Sequence, residues 1–254
     1  MKRIDQLLVE KGYCDSRAHA QRMIKEGRVT LGSYPAKKEI KPSLKVDEET
    51  VIDVRRSESD NYVSRGALKL QGAVDHANIN IQDVHAIDVG QSTGGFTDYL
   101  LQHGASSVLG IEVGHDQLAD RLRTDPRVTC LEGYNARTLS NELTRHSPNG
   151  RFDLAVMDVS FISQRLILPG LCNLISENAW LITLVKPQFE LGPEHIGKGG
   201  IVRSEEQYPQ LKRQFYRLMD ELNMTVEYYI DSPIKGGDGN KEFLLIARKN
   251  PHPQ

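Results

Sequence analysis

Two different periodicities divide this chain. Near the start, Ile4, Leu7 and Leu8 recur at helical spacing, as do Ala20, Met23 and Ile24, and an apolar face repeating every three to four residues predicts a pair of short helices. Gly12 separates them as a helix stop, and Asp15 or Ser16 is placed to cap the second helix by accepting from its free amides. After Gly27 the pattern shortens to Val29-Thr30-Leu31, followed by a turn at Gly32-Ser33 and a strand over residues 50–54. Helix, helix and short strands make a module over residues 1–55. Residues 56–61 are polar and without periodicity, and they read as a linker.

From residue 62 to the last residue, 254, a second pattern takes over. Apolar strand-like runs at 86–89, 108–113, 127–131, 154–158 and 179–185 alternate with helical segments. A helix over 208–222 carries Leu211, Phe215, Leu218 and Leu222, and two closing strands follow at 225–230 and 243–247. Strand and helix in alternation predict an α/β domain whose parallel sheet is covered on both faces. Ligands of such sheets sit at the carboxyl ends of the strands.

Composition narrows the class. With 39% hydrophobic and 26% charged residues, the chain of 254 residues has enough apolar content to fold and no low-complexity bias. Its most apolar run, 179–185, is far short of the roughly 20 residues that a membrane-spanning helix needs. Lys2 and Arg3 are not followed by the apolar core of a signal peptide. Cys14, Cys130 and Cys172 are widely spaced, with no CxxC pair to hold zinc, so no metal is expected and a reducing, cytoplasmic setting is. Net charge is −2, yet residues 1–28 hold seven Lys or Arg against four acids, so the positive charge is concentrated in the first module.

The first strand of the larger domain runs into Asp88-Val89-Gly90-Gln91-Ser92-Thr93-Gly94-Gly95-Phe96. Its glycines let backbone approach a nucleoside, but Ser92 occupies the second glycine position of the dinucleotide pattern, which disfavours NAD. Glu112, near the end of the next strand, is placed to accept both hydroxyls of a ribose. Asn135 and Ala136 are candidates to flank an adenine. Loop and acid together point to S-adenosylmethionine. Asp158 and Lys186 end neighbouring parallel strands and so share one edge of the sheet. Glu242 joins them if the last strand is antiparallel.

Two resemblances sharpen this reading. Arg3-x-Asp5-x-Leu7-Leu8, Ser16-Arg17-Ala18-x-Ala20 and Ile24-x-x-Gly27-x-Val29 resemble the S4 RNA-binding domain. That family presents basic side chains to RNA phosphates, which implies such a role for Arg3, Arg17, Arg22, Lys25 and Arg28. In the larger domain, Lys69, Asp158, Lys186 and Glu242 are similar to the Lys-Asp-Lys-Glu tetrad of FtsJ-like RNA 2′-O-methyltransferases. Only this similarity brings Lys69 to the site. Tyr62 to Leu70, Asp88 to Asp98, Met157 to Ser163, Val185 to Glu190 and Ser232 to Phe243, together with the S4 module, resemble the TlyA family, also known as hemolysin A-like.

The resemblance implies a Rossmann-like seven-stranded S-adenosylmethionine-dependent methyltransferase sheet behind a small α+β S4 domain. It also implies ribose methylation of ribosomal RNA or ribosomal subunits, with no membrane and no obligate protein partner. Asp88, Gly90, Ser92, Gly94, Gly95, Phe96, Glu112, Asn135 and Ala136 are then the cofactor residues. Lys186 is cast as the base, oriented by Asp158, while Lys69 and Glu242 place the ribose. A lysine is protonated near neutrality, and partial burial beside another cation favours its neutral form. Competing methylations leave other traces: Asp158-Val159-Ser160-Phe161 lacks the prolines of adenine N6 enzymes, and Cys130 and Cys172 read as core thiols. Against the family pattern, Ala67, Glu112 and Tyr134 are departures, and Gln91 replaces a small residue. The Gln91 side chain is expected to crowd the methionine end of the cofactor. The alternative this raises is a non-catalytic RNA-binding relative that docks on ribosomal RNA.

Overall fold

A computed structural model describes residues 1–14, 16–32 and 39–251. The chain forms two compact units, Met1–Arg65 and the remainder from Gly66. The first contains β1 (Lys2–Arg3), α1 (Ile4–Glu10), α2 (Arg17–Lys25), β2 (Val29–Leu31), β3 (Lys45–Val46) and β4 (Ile52–Val54), then a 3-10 turn at Glu58–Asn61. Both helices end as expected. Gly12 and Gly27 take positive φ (73° and 67°), and the next amides, of Tyr13 and Arg28, reach back to Leu8 O and Met23 O. That left-handed stop satisfies carbonyls that the helix leaves open. Ser16 Oγ accepts from His19 N at 3.2 Å, so Ser16 is the cap of α2; Asp15, the other candidate, and Ser33 of the expected turn lie outside the described residues.

Ile4, Leu7 and Leu8 pack with Ala20, Met23 and Ile24 over Val29, Leu31 and Ile52. β2 pairs antiparallel with β4, and the two-residue strands β1 and β3 pair with each other. The latter are too short for any periodicity to reveal. Two carboxylates, one buried and one partly buried, organise the unit's cations. Asp5, wholly buried, accepts from Arg3 Nη2 (2.8 Å), Arg17 Nη2 (3.3 Å) and Gln21 Nε2 (3.0 Å). Asp60, in the segment read as a linker, accepts from Arg28 Nη1 (2.6 Å), His19 Nε2 (2.9 Å) and Ser57 N (2.8 Å).

The second unit comprises α3 (Ala67–Ala77), β5 (His85–Val89), α4 (Gly95–Gln102), β6 (Ser107–Ile111), α5 (Asp120–Arg123), β7 (Val128–Leu131) and β8 (Phe152–Met157). It continues with α6 (Leu168–Leu174), β9 (Ile175–Val185), α7 (Pro187–Glu190), α8 (Tyr208–Glu221), β10 (Met224–Asp231) and β11 (Phe243–Lys249). Seven strands form one sheet in the order β10-β11-β9-β8-β5-β6-β7. β5 to β9 are parallel, whereas β11 runs antiparallel between β9 and β10. Strand order reverses at β5, which opens a crevice beyond its carboxyl end. Leu168, Leu171, Leu211 and Phe215 pack on Ile87, Met157, Leu181 and Leu245 in the main core. On α8 the fully buried side chains are Leu211, Phe215 and Met219. Leu218 and Leu222, expected on that stripe, lie at its border because a four-residue step keeps position 219 facing the sheet.

Arg3, then Gln21 and Arg17, hold the Asp5 carboxyl well below the usual carboxylate range against the opposing effect of burial. A depressed carboxyl stabilises the fold above its unfolded pKa and loses that contribution as pH falls. Asp5→Asn is therefore expected to lower stability by about 2 kcal/mol at pH 7, with the gap from the native chain narrowing below about pH 4; thermal melts across pH check both.

Candidate active site

Three strand ends and one helix deliver the charged cluster. Asp158 follows β8, with its amide donating to Val89 O at 3.0 Å. Lys186 follows β9 and starts the turn of α7, fixed by Pro187 in the first helical position. β11 starts opposite the end of β9, with Phe243 registered on Val185, so Glu242 lies at the same edge as Lys186. Lys69 reaches in from α3. Its Nζ stands 2.6 Å from Glu242 Oε2 and 3.9 Å from Asp158 Oδ2, and Lys186 Nζ stands 2.6 Å from Asp158 Oδ1. Lys186 also donates to Ser160 Oγ at 2.9 Å. All four sequence-predicted residues meet, and the antiparallel condition on Glu242 is met. Lys69, Lys186 and Glu242 are buried.

The loop before Glu242 is tied down by a buried amide. Asn240 Nδ2 donates to Gly200 O (2.9 Å) and Asp238 Oδ2 (2.8 Å), and its Oδ1 accepts from Val202 N (3.0 Å). A side chain at Gly236 would meet Glu242 Oε1 at 2.6 Å. Loop and carboxylate are packed against each other.

Beside the cluster lies a cavity of ≈ 490 Å³ whose wall includes Gly90, Ser92, Glu112, Asn135, Ala136 and Asp158. Glu112 Oε2 accepts from Ser92 N and Oε1 from Gly114 N, both at 2.8 Å. Each oxygen keeps a lone pair for a ribose hydroxyl. Ile111, Val113, Tyr134 and Ile167 supply apolar surface, and Val113 is 70% exposed. An acid at one end, apolar walls and a glycine floor fit a nucleoside. At Gly90 (φ 82°) any Cβ would come within 2.4 Å of Asp158 O, so only glycine allows this crossing of strand ends.

Other predicted cofactor residues sit behind that wall. Asp88, Gly94, Gly95 and Phe96 do not line the cavity, and Asp88 and Phe96 are buried. The expected obstruction by Gln91 is absent. Gln91 is buried away from the cavity, its amide filling the space above Gly110, where a Cβ would lie 1.9 Å from Gln91 Oε1. Gln91 Nε2 donates to Thr97 Oγ1 (2.8 Å), which donates to Asp88 Oδ2 (2.7 Å). A small residue on the next strand thus makes room for the large one in the loop.

Burial pushes the Asp88 carboxyl up to about 7, with Asp158 and Glu112 adding to the rise. Burial likewise pushes the Cys130 thiol up to about 11 and Cys172 up to about 12, so neither is a ready nucleophile. Cys172 is buried, while Cys130 on β7 is half-buried.

In the first unit, the five basic residues differ in availability. Arg3 and Arg17 lean on Asp5, and Arg28 is buried against Asp60 and Glu26. Arg22 and Lys25 line a shallow cavity of ≈ 370 Å³ with Arg65, and Arg22 Nε and Nη2 are buried with no hydrogen-bond partner among the described residues. Sequence reasoning assigned no role to Ser160 or Phe161. Phe161 lines the nucleoside cavity, is 90% exposed and has φ 62°, a left-handed conformation rare for an aromatic residue. An aromatic one step beyond the strand-end Asp-Val-Ser was the available signal; its exposure was not readable.

Residues 62–249 match the FtsJ-like methyltransferase family and residues 2–52 match the S4 domain. Fold and cluster thus define an FtsJ-like methyltransferase carrying an S4 domain. The chain is 39% identical over 246 residues to the 16S/23S rRNA (cytidine-2′-O)-methyltransferase TlyA of Mycobacterium tuberculosis, covering 97% of this chain and 89% of that protein. It is 35% identical over 247 residues to Hemolysin A of Brachyspira hyodysenteriae, covering 95% and 98%. A solved chain from Streptococcus thermophilus superposes with TM-score 0.76 at 38% identity, covering 100% of this chain and 90% of that one. The chain belongs to the TlyA family. Among the described residues no helix is long and apolar enough to cross a membrane.

A raised carboxyl binds its proton in the folded state, so folding weakens as pH climbs from the unfolded pKa to the folded one. Asp88 therefore contributes a fall in stability between about pH 4 and 7. Asp88→Asn is expected to flatten that part of the stability profile, as measured by denaturant unfolding at stepped pH.

Proposed function

We propose that this chain transfers a methyl group from S-adenosylmethionine to a ribose 2′-hydroxyl of ribosomal RNA. The observation that carries this reading is the Lys69–Glu242 and Asp158–Lys186 cluster, whose Asp158 forms part of the wall of a cavity with an acid and apolar surface suited to a nucleoside. Glu112 would hold the cofactor's ribose, and Val113, Asn135 and Ala136 its base. When bound, S-adenosylmethionine supplies an electrophilic methyl on a sulfonium sulfur. Lys186, once it has given up its own proton, takes the hydroxyl proton as the ribose oxygen bonds to the methyl carbon and the methyl–sulfur bond breaks, leaving a neutral thioether, a transfer that general-base catalysis speeds by about 10² to 10⁴. Asp158 and Ser160 set the direction of that amine. Lys69 and Glu242, held to each other, orient the ribose. Phe161 offers an exposed face on which an unstacked base can lie.

The S4 unit, residues 1–55 with the 56–61 segment, supplies RNA affinity. Arg22 and Lys25, which line the open cavity beside Arg65, are its phosphate contacts, with Arg17 and Arg3 secondary and Arg28 a structural member. The name of the M. tuberculosis relative makes a cytidine the expected target. Ribosomal RNA as substrate places the work in the cytoplasm. The non-catalytic alternative rested on Gln91, whose side chain faces away from the cavity.

Purified ribosomal subunits incubated with methyl-labelled cofactor are expected to gain label on one or a few riboses; no incorporation by a cofactor-binding protein defeats the reading. Lys186→Ala is expected to lose at least about 10²-fold in transfer while binding S-adenosylmethionine with unchanged micromolar affinity by calorimetry. Reversing charge at Arg22 and Lys25 should weaken RNA binding and reduce the salt slope by about two, whereas Arg28→Glu should instead destabilise the S4 unit.

A further inference from the structure

Beyond the charged cluster, a second polar network of the second unit centres on Glu190, the last residue of α7, whose side chain is 1% exposed. Glu190 Oε2 accepts from Ser163 Oγ at 2.7 Å and Oε1 from Gln164 N at 2.8 Å. The network continues inward. Gln164, itself buried, donates through Nε2 to Leu184 O and accepts at Oε1 from Thr183 Oγ1 at 2.7 Å. Thr183 and Leu184 lie near the end of β9, the strand that Lys186 follows.

Two stretches of chain are therefore joined twice. One carries Asp158, Ser160 and Phe161 and ends at Ser163-Gln164; the other carries Lys186 and ends one helical turn later at Glu190. The first rung is Lys186 on Asp158 and Ser160; the second is Glu190 on Ser163 and Gln164. Between the rungs sits Phe161 with its left-handed backbone, its ring 5.1 Å from that of Phe189. Such a conformation persists only where surrounding contacts over-determine it. A carboxylate in this place is itself unfavourable: burial raises its pKa, and its nearest cation, Arg165, lies 3.6 Å away at the surface. An expensive buried group that bridges two reactive loops, without facing the cavity, points to a role in holding them.

We propose that Glu190 is a positioning residue of the methyl transfer, holding the Ser160–Phe161 turn in register with Lys186 through Ser163 and Gln164. This rests on the reading of Lys186 as the base. Glu190 does not line the nucleoside cavity, so its loss acts on the alignment of the transfer and not on cofactor binding.

The test uses the full chain carrying Glu190→Ala, Glu190→Gln or Ser163→Ala, assayed on ribosomal subunits with labelled cofactor. Misplacement of reacting groups by about 1 Å costs about 10²-fold, so Glu190→Ala is expected to lower kcat by roughly that factor. The KM and calorimetric affinity for S-adenosylmethionine should stay within about twofold, well inside one power of ten in binding. Glu190→Gln keeps an acceptor for Gln164 N and offers Ser163 Oγ a donor, and should recover most of the rate. Backbone hydrogen exchange should quicken over residues 158–164 and stay unchanged over 85–97, independent of turnover. If Glu190→Ala does not fold, Ser163→Ala must show the same kcat-selective loss and local exchange. Full activity with unchanged exchange overturns this inference alone, and a parallel loss of cofactor affinity does so too. A native chain that methylates nothing overturns it together with the function it serves.

Discussion

Two ammonium groups and two carboxylates leave bulk water together at one edge of the larger sheet, and the rest of the second unit follows from that requirement. A buried ion without a partner costs several kcal/mol even after relaxation. Lys69 and Lys186 are tolerable as buried cations because Glu242 and Asp158 lie at 2.6 Å from them. The acids come from strands that are not consecutive, so the topology must bring them together. Inserting β11 antiparallel beside β9 does so, since it places the start of one strand against the end of the other. A parallel β11 would put Glu242 at the opposite edge and leave Lys69 without its nearest counter-charge.

The same economy of packing explains how a large residue can occupy a cofactor loop. Gln91 is accommodated by the bare Cα of Gly110 on the neighbouring strand, and its amide joins a chain through Thr97 to the buried Asp88. What looks in the sequence like a departure in a ligand-contacting loop is accommodated by a residue without a side chain. That glycine lies 19 positions away, on β6. The burial of Asp88 that comes with it is unfavourable to its ionised form, and the hydroxyl of Thr97 opposes the shift by donating to the carboxylate.

Much of this architecture was legible because periodicity reports which face of an element is buried. The S4 helices and their glycine stops were readable, as were the strands of the sheet and the edge shared by Asp158 and Lys186. Periodicity does not report lateral order, so nothing intrinsic to α3 placed Lys69 at that edge; only a family likeness did. Nor does a local count of charge reveal pairing across sequence. Arg28 reads as a free cation on a basic stretch, but Asp60, 32 residues on, folds back to take its guanidinium through two hydrogen bonds. Phe161 and Glu190 were equally opaque: each belongs to a motif readable in the sequence, but exposure of the one and burial of the other are properties of loops.

Those hidden pairings bear on how the two units divide their work. A surplus of three positive charges over residues 1–28 overstates the field that the S4 unit offers to RNA, because Asp60, outside that stretch, is held as a carboxylate against Arg28, while Asp5, already counted among the four acids, ties up Arg3 and Arg17 at close range. Arg22, which lines an open cavity although two of its nitrogens are buried, and an exposed Lys25 are the two of the five predicted RNA contacts that Asp5 and Asp60 do not pair, a small number in place of a broad basic surface. Few contacts give a shallow dependence on salt and modest affinity. Discrimination among riboses must then come from geometry at the sheet edge, where only a nucleotide able to leave its stack can bring its hydroxyl to Lys186. A weak anchor and a demanding site suit an enzyme that must leave its product as readily as it finds its substrate.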